Sequence, residues 1–77
     1  MDVQEQAELK ATIHKALSTL AEEFRIPIML CDLEGLTYEE IAKVVSCPVG
    51  TVRSRIHRGR LMLRRALVHY YDERSVA

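Results

Sequence analysis

The chain has 77 residues and a mass of 8.8 kDa, which predicts a single domain without a deep enzyme cleft, since a chain this short hides only about 60% of the surface that its unfolded form exposes. Hydrophobic residues make up 48% of the chain and charged residues 29%, which excludes a disordered tail. Only three Gly and two Pro are present, which argues against an all-β chain. The composition therefore indicates a small all-α domain.

Neither a membrane span nor a secretion signal is predicted anywhere in the chain. The longest uncharged apolar run, from Ile26 to Cys31, is far shorter than the roughly 20 residues that a span needs. The first ten residues are acidic and polar, whereas a signal peptide begins with a basic segment. We therefore expect a soluble protein that has no membrane partner and is cytoplasmic if bacterial.

The side-chain sets that metal binding and catalysis need are not found in the sequence. Cys31 and Cys47 are expected to be free thiols in a reducing compartment, with a single disulfide as the alternative. Zinc would need two further ligands from the histidines, and no Cys or His pair has the usual spacing. Glu39 and Glu40 diverge on a helix, and no nucleophile accompanies them. We expect no metal, no cofactor and no enzyme activity.

The net charge of zero conceals an uneven distribution of charge along the chain. Residues 1–46 hold nine acids and four bases, whereas residues 47–77 hold seven arginines and two acids. Six of these arginines fall between Arg53 and Arg65, with no acid among them. This pattern favours an anionic partner for the C-terminal half over a merely solvated face, because arginine binds phosphate and guanine with a planar fork.

Apolar spacing predicts four helices and no strand. The first runs from about Val3 to Leu20, and the second from about Glu22 to Glu34 before a stop at Gly35. Pro27 predicts an irregular first turn in the second helix. The apolar stripe of the first helix consists of Leu9, Ile13, Ala16, Leu17 and Leu20.

A helix-turn-helix is predicted over residues 37–60. Thr37 and Glu40 fit a capping box at the start of the third helix, and Leu36 can pack against Ile41. A three-residue turn begins at Ser46, where a left-handed backbone would cost of order 1 kcal/mol. The fourth helix then starts at Pro48 and runs to about His69 or Tyr71.

The fourth helix is predicted to have a buried face and a basic face. At about 100° per residue, its apolar side chains share one inward sector. These inward residues are Val49, Val52, Ile56, Leu63 and Leu67. The outward residues are Gly50, Thr51, Arg53, Ser54, His57 and Arg58. We expect Val52 and Ile56 to be buried against Ile41 and Val45, and the outward residues to bind DNA.

A second surface is predicted where the outward pattern breaks. Leu61 and Met62 point away from the inward sector of the fourth helix. With Met29 and Leu33, they are candidate partner-binding residues, since exposed apolar side chains of this kind often mark a protein contact. The alternative is that the first helix folds back over them.

The stretch from Phe24 to Leu67 resembles region 4 of bacterial extracytoplasmic-function (ECF) sigma factors. The resemblance rests on the segments EGLTYEEIA at residues 34–42 and CPVGTVRSRIHRGR at residues 47–60. It implies a four-helix domain that binds the promoter −35 element, docks on the β-flap of the RNA polymerase core and is captured by an anti-sigma factor. It also implies promoters of stress or envelope responses. The implied DNA-contacting residues are Pro48, Gly50, Thr51, Arg53, Ser54, Arg55, His57 and Arg58.

Three features depart from the pattern of this family. Ala21 follows Leu20 where members often have Leu-Pro, and Ser46 replaces the Gly of many helix-turn-helix turns. Nothing in the chain resembles region 2, which melts the −10 element. We therefore expect residues 1–77 to be a single region 4 domain, a fragment of a longer chain that cannot initiate transcription alone.

Two other functions remain open from the sequence. A response-regulator-type output domain also pairs a Glu-Ile-Ala helix with a Thr-Val-(Lys/Arg) recognition helix, although the segment at residues 47–60 favours a sigma factor. A module that acts mainly through a protein partner is the second alternative. Salt-dependent DNA binding separates it from the DNA-binding functions.

Overall fold

The computed structural model describes the backbone of residues 2–75 and the side chains of residues 2–70 as a set of helices joined by short turns. In chain order these are α1 (Val3–Leu17), α2 (Glu22–Ile28), which continues into a π-helical turn (Met29–Leu33), α3 (Tyr38–Val45) and α4 (Val49–Ser75). No strand occurs within residues 2–75, so the predicted all-α, four-helix fold is confirmed. None of the helices in this range is long and apolar enough to cross a membrane.

The first helix ends three residues before the predicted position. The Ser18 hydroxyl donates to the carbonyl of Lys15 at 2.6 Å. The Thr19 hydroxyl donates to the carbonyl of Ala16 at 2.7 Å. These side chains satisfy carbonyls at the helix end and so compete with another helical turn. Leu20 is nevertheless buried, as the apolar stripe predicts.

The irregularity in the second helix lies at its end, so the predicted irregular first turn is wrong. Arg25 donates its amide to the carbonyl of Ala21 at 3.0 Å, which is a regular α-helical bond. Pro27 lacks the amide that would bond to the carbonyl of Glu23, and its ring crowds that carbonyl. The helix widens only after the proline, into the π-helical turn of Met29–Leu33.

The start of α3 has the predicted geometry. Gly35 adopts a left-handed φ of +75° and ends the preceding helical segment. The Thr37 hydroxyl accepts from the Glu40 amide at 3.1 Å, and the Glu40 carboxylate accepts from the Thr37 amide at 2.9 Å. Leu36 packs against the cluster that contains Ile41. The capping box and the hydrophobic staple are therefore both confirmed.

The turn between α3 and α4 confirms the left-handed serine. Ser46 has φ 56° and ψ 47°, and it is the only non-glycine residue with positive φ between residues 2 and 75. The Pro48 carbonyl accepts from the Thr51 and Val52 amides at 3.0 and 3.1 Å, so α4 begins immediately after the proline. This turn fixes the angle at which α4 leaves α3.

Two apolar clusters hold the helices together. The first, which we call the crossing cluster, contains Ile41, Val52 and Ile56, each at most 1% exposed. Val45 packs against it but is only half-buried, less than predicted. The second, which we call the lower cluster, consists of Leu17, Leu20 and Ile28, with Ile13, Phe24, Met29, Met62 and Leu63 packed on it.

Gly59 allows α4 to approach α2 closely. It is buried, and a Cβ atom placed on it would lie 2.5 Å from Cδ1 of Ile28 and 3.2 Å from Cβ of Phe24. Beyond Gly59 the chain has no Gly or Pro to stop the helix, so α4 continues to Ser75, past the predicted end at His69 or Tyr71.

Candidate nucleic-acid interface

The predicted DNA-binding residues lie on the first three turns of α4. Val52 and Ile56 are 0% and 1% exposed, and their burial in the crossing cluster fixes the rotation of the helix about its axis. The opposite side therefore faces solvent. Exposed there are Gly50, Arg53, Ser54, His57 and Arg58, while Thr51 is half-buried and Pro48 is exposed immediately before the helix.

The outward side of α4 forms a shallow groove. A concave region of about 460 Å³ follows the helix axis. It is lined by Gly50, Arg53, Ser54, His57, Arg58 and Leu61. A second concavity, of about 330 Å³, lies on the side of α2 and adds Glu23, Phe24, Thr51 and Arg55 to the lining. Donor groups of two arginines, a serine and a histidine thus converge on one accessible strip.

Four arginines of α4 have no partner among the described side chains. Arg53, Arg58, Arg64 and Arg65 are exposed and make no hydrogen bond or ion pair within residues 2–70. Their charge is available to an anion from outside the domain. Phosphate and guanine edges are the anionic or acceptor groups that a guanidinium binds in nucleic acids.

Arg55 differs from these four arginines because it is held inside the domain. Its Nη1 donates to Sγ of Cys47 at 3.3 Å. Its Nη2 lies 4.0 Å from a carboxylate oxygen of Glu23. Arg55 is half-buried between the turn and α2, and it lines the second concavity beside Ser54 and Arg58.

Arg60, which the sequence analysis did not single out, makes the shortest ion pair described. Its Nη2 lies 2.7 Å from Oδ1 of Asp32, and its Nε donates to Oδ2 at 3.4 Å. The same Nη2 is 3.7 Å from Sγ of Cys31. The hydrogen bond to Asp32 raises the pKa of Arg60. Burial, reinforced by the Asp32 charge, raises the pKa of the Cys31 thiol.

Both cysteines are free, as expected, and each accepts an arginine N–H. Among the described side chains, no group of three or more His, Cys, Asp or Glu residues is placed to hold a metal ion.

The four candidate partner-binding residues separate into two pairs. Leu33 and Leu61 are 49% and 47% exposed. Met29 and Met62 are half-buried and pack on the lower cluster. The expectation that Met62 points outward is wrong, because Met62 packs on the lower cluster, to which α1 contributes Leu17. Leu61 is exposed as predicted. Leu33 borders a groove of about 190 Å³ whose other walls are Gln6, Leu9, Lys10, Ile13 and His14.

A known family matches most of this fold. The family described as sigma-70, region 4, matches residues 10–63, which include the whole helix-turn-helix and every predicted DNA-binding residue. The chain belongs to the sigma-70 region 4 family.

Curated relatives of this region 4 domain are named as sigma factors. The ECF RNA polymerase sigma factor SigE of Mycolicibacterium smegmatis is 51% identical over 65 residues, which is 84% of this chain and 25% of the relative. The RNA polymerase sigma-H factor of Pseudomonas aeruginosa is 50% identical over 60 residues, or 78% of this chain and 31% of the relative. The ECF RNA polymerase sigma-E factor of Escherichia coli is 51% identical over 53 residues, or 69% and 28%.

These matches confirm the resemblance to region 4 of ECF sigma factors. Each of these relatives is named as an RNA polymerase sigma factor. The chain spans about a quarter to a third of the length of these relatives.

The close approach of α4 to α2 at Gly59 was not predicted, although the sequence contains a signal for it. At 100° per residue, Gly59 falls in the same inward sector as Val52 and Leu63. A glycine in that sector indicates backbone contact with a neighbouring helix. No comparable feature of the sequence indicates that Arg55 and Arg60 pair with acids far away along the chain.

Proposed function

We propose that this region 4 domain binds promoter DNA at the −35 element, as part of an ECF sigma factor that directs RNA polymerase to its promoters. One observation carries the proposal. The crossing cluster locks α4 so that Arg53, Ser54, His57 and Arg58 share one exposed strip, with no internal partner for either arginine within residues 2–70. A helix anchored in this way can enter the major groove with its first turns against the base edges.

Each part of the strip has a separate task in this proposal. Arg53 can bind the O6 and N7 atoms of a guanine with two parallel hydrogen bonds. Gly50 has no atom within 4 Å of where a Cβ would stand, so the sugar–phosphate backbone can approach the helix start closely. The amides of the first turn then point at a phosphate. Arg64 and Arg65, about 16 Å farther along the helix, supply charge without reading bases.

The partner part of the proposal rests on the exposed apolar residues. We propose that Leu33 and Leu61 belong to surfaces that meet the β-flap of the RNA polymerase core or an anti-sigma factor, since Leu33 borders the groove shared with Leu9 and Ile13, and Leu61 lines the concavity along α4. Met29 and Met62, the other two candidate residues, pack on the lower cluster. A sigma factor of this kind works in the cytoplasm and needs no membrane, cofactor or catalytic residue.

DNA selection followed by a salt titration tests the proposal. The 77-residue chain selects duplexes from a randomised pool, and fluorescence anisotropy then compares the selected duplex with a scrambled one. We expect tighter binding to the selected duplex and a fall in affinity with salt on both. The same affinity for both duplexes would contradict the proposal.

Two arginine variants separate base reading from phosphate contact. Arg53→Ala is expected to cost about 1–3 kcal/mol on the selected duplex and to relax selectivity at one base pair. Arg64→Ala, the matched control on the same helix, is expected to weaken both duplexes equally. An equal loss on both duplexes for Arg53→Ala would assign Arg53 to the phosphates.

A further inference from the structure

The six arginines of α4 between residues 53 and 65 divide into two groups by their partners. Arg53, Arg58, Arg64 and Arg65 have no hydrogen bond or ion pair in the described part of the chain. Arg55 and Arg60 each contact one thiol and one carboxylate on an earlier segment of the chain. The six arginines therefore do not form a uniform cationic face.

Arg55 joins the start of α4 to the turn and to α2. It lies in the second turn of α4, and its partner Cys47 belongs to the turn that precedes the helix. Its second partner, Glu23, lies in the first turn of α2. Only 31% of the Arg55 side chain is exposed. The guanidinium is therefore engaged by these two segments, although the side chain also borders the concavity that Ser54 and Arg58 line.

Arg60 joins the middle of α4 to the π-helical turn. The Asp32 carboxylate accepts from both Nη2 and Nε, which is the two-point geometry that a guanidinium forms with a carboxylate. Asp32 and Cys31 both belong to the widened turn that follows Pro27. Because this turn lacks regular α-helical bonding, a side-chain tie to α4 helps to fix its position.

We propose that Arg55 and Arg60 are positioning residues that hold α4 against α2 and the π-helical turn, and that they do not contact DNA. This inference rests on the proposed DNA binding and refines it. The family resemblance assigned Arg55 to the DNA-binding set, and the geometry of Arg55 removes it from that set. Among the arginines of α4 whose side chains are described, those offered to DNA are then Arg53, Arg58, Arg64 and Arg65.

Salt dependence distinguishes the two groups. Each phosphate that a protein neutralises contributes about 0.9 to the slope of log affinity against log salt concentration. Arg58→Ala is expected to reduce the slope by about this amount. Arg55→Ala is expected to leave the slope unchanged and to lower affinity by a constant factor of about two to five, since exposed ion pairs of this kind contribute modestly. A reduced slope for Arg55→Ala would overturn the proposal.

Glu23→Gln gives a second test that keeps every arginine. If Arg55 positions α4, the loss of its carboxylate partner is expected to weaken DNA binding slightly with the slope unchanged. If Arg55 is a DNA contact restrained by Glu23, its release raises both the affinity and the slope, and that result would overturn the proposal.

A charge exchange tests Arg60 in the same way. Arg60→Asp places two acids side by side, so both the melting temperature and DNA affinity should fall. Adding Asp32→Arg restores an ion pair with reversed direction, and we expect it to recover most of the melting temperature and of the affinity. If Arg60 binds a phosphate, the acid at position 60 still repels DNA, and affinity stays low although the melting temperature recovers.

The melting temperatures are measured without DNA, so they separate this inference from the proposed function. If the unmodified chain shows no preference for any duplex, the proposed function is wrong. Both Arg55→Ala and Arg60→Asp are expected to lower the melting temperature, and a melting temperature that neither substitution changes would overturn the positioning role independently of DNA.

Discussion

Ser46 holds a backbone conformation that glycine adopts at much lower cost. Its φ of 56° is left-handed, and a side chain in this region costs of order 1 kcal/mol. We expect Ser46→Gly to raise the free energy of unfolding by about 0.5 kcal/mol, because the relief of this conformation is only partly offset by the added entropy of the unfolded chain. Urea unfolding followed by circular dichroism measures the change.

Ser18 provides the matched control for Ser46. It also ends a helix, but its φ is −65°. Glycine therefore relieves no backbone strain at position 18, and the hydrogen bond from the Ser18 hydroxyl to the Lys15 carbonyl is lost. Ser18→Gly is therefore expected to lower stability. An equal effect of the two substitutions would show that the left-handed conformation is not the cause.

The two glycines of α4 are expected to respond in opposite ways to substitution by alanine. Gly50→Ala should leave the melting temperature unchanged or higher, since its surroundings are open and alanine favours helix. It should weaken DNA binding by obstructing the approach of the phosphate backbone. Gly59→Ala should lower stability by about 1–2 kcal/mol, because the new methyl group meets the fully packed Ile28.

Thermal unfolding and anisotropy on each variant test this pair of glycines. A stable Gly59→Ala protein would mean that α4 can move away from α2 at little cost. Undiminished DNA affinity for Gly50→Ala would remove the close approach from the proposed mode of binding.

At the scale of the elements, the capping box makes the stability of α3 depend on pH. The hydrogen bond from the Thr37 amide holds the pKa of the Glu40 carboxylate below its usual range in the folded chain. A depressed folded-state pKa means that the stabilisation is present above the unfolded pKa and is lost as pH falls through the folded pKa. We expect wild type to melt higher than Glu40→Gln at neutral pH, and the two to converge in acid.

Glu39→Gln serves as the control for the capping box. Glu39 is the neighbouring exposed acid of the same helical turn and makes no capping bond. Its substitution should produce a smaller difference at neutral pH. A gap between wild type and Glu40→Gln that persists below the folded pKa would contradict the charge-dependent cap.

Local chemistry decided which element boundaries could be predicted from the sequence. The start of α3 followed from Thr37, Glu40 and Gly35, because those residues act on backbone groups three or four positions away. The end of α1 and the π-helical turn did not follow. The end of α1 depends on whether the Ser18 hydroxyl or a further helical turn bonds to the last carbonyls. The π-helical turn depends on how the second helix accommodates Pro27. Side-chain packing decides both, and the spacing of apolar residues does not specify that packing.

At the scale of the whole molecule, the sequence predicts which residues of α4 are exposed better than it predicts which arginines have partners within the fold. The rotation of α4 follows from Val52 and Ile56, so the outward residues could be named from spacing alone. The partner of Arg60 is Asp32, 28 residues earlier in the chain. Only the packing of α4 on the π-helical turn brings them together. Charge counted along the sequence therefore overestimates the arginine charge that has no partner within the described part of the fold.

Leu61 and Met62 are adjacent in sequence, yet the fold gives them opposite environments. Leu61 lies at the end of the exposed strip, whereas Met62 packs beneath α1 on the lower cluster. We expect Leu61→Gln to change the free energy of unfolding by less than about 0.5 kcal/mol, as surface substitutions usually do. Met62→Gln is expected to cost about 1–2 kcal/mol, because a polar amide replaces an apolar side chain that packs on the lower cluster.

Binding to the isolated β-flap domain of RNA polymerase, measured by calorimetry, then tests the partner role of Leu61. If Leu61 belongs to a protein contact, Leu61→Gln weakens flap binding at unchanged melting temperature, because an exposed leucine contributes to association only when a partner covers it. Leu33→Gln is the matched variant on the groove beside α1. If Leu61→Gln keeps full affinity for the flap and Leu33→Gln loses affinity, the flap contact lies at that groove. Leu61 would then belong only to the exposed strip of α4.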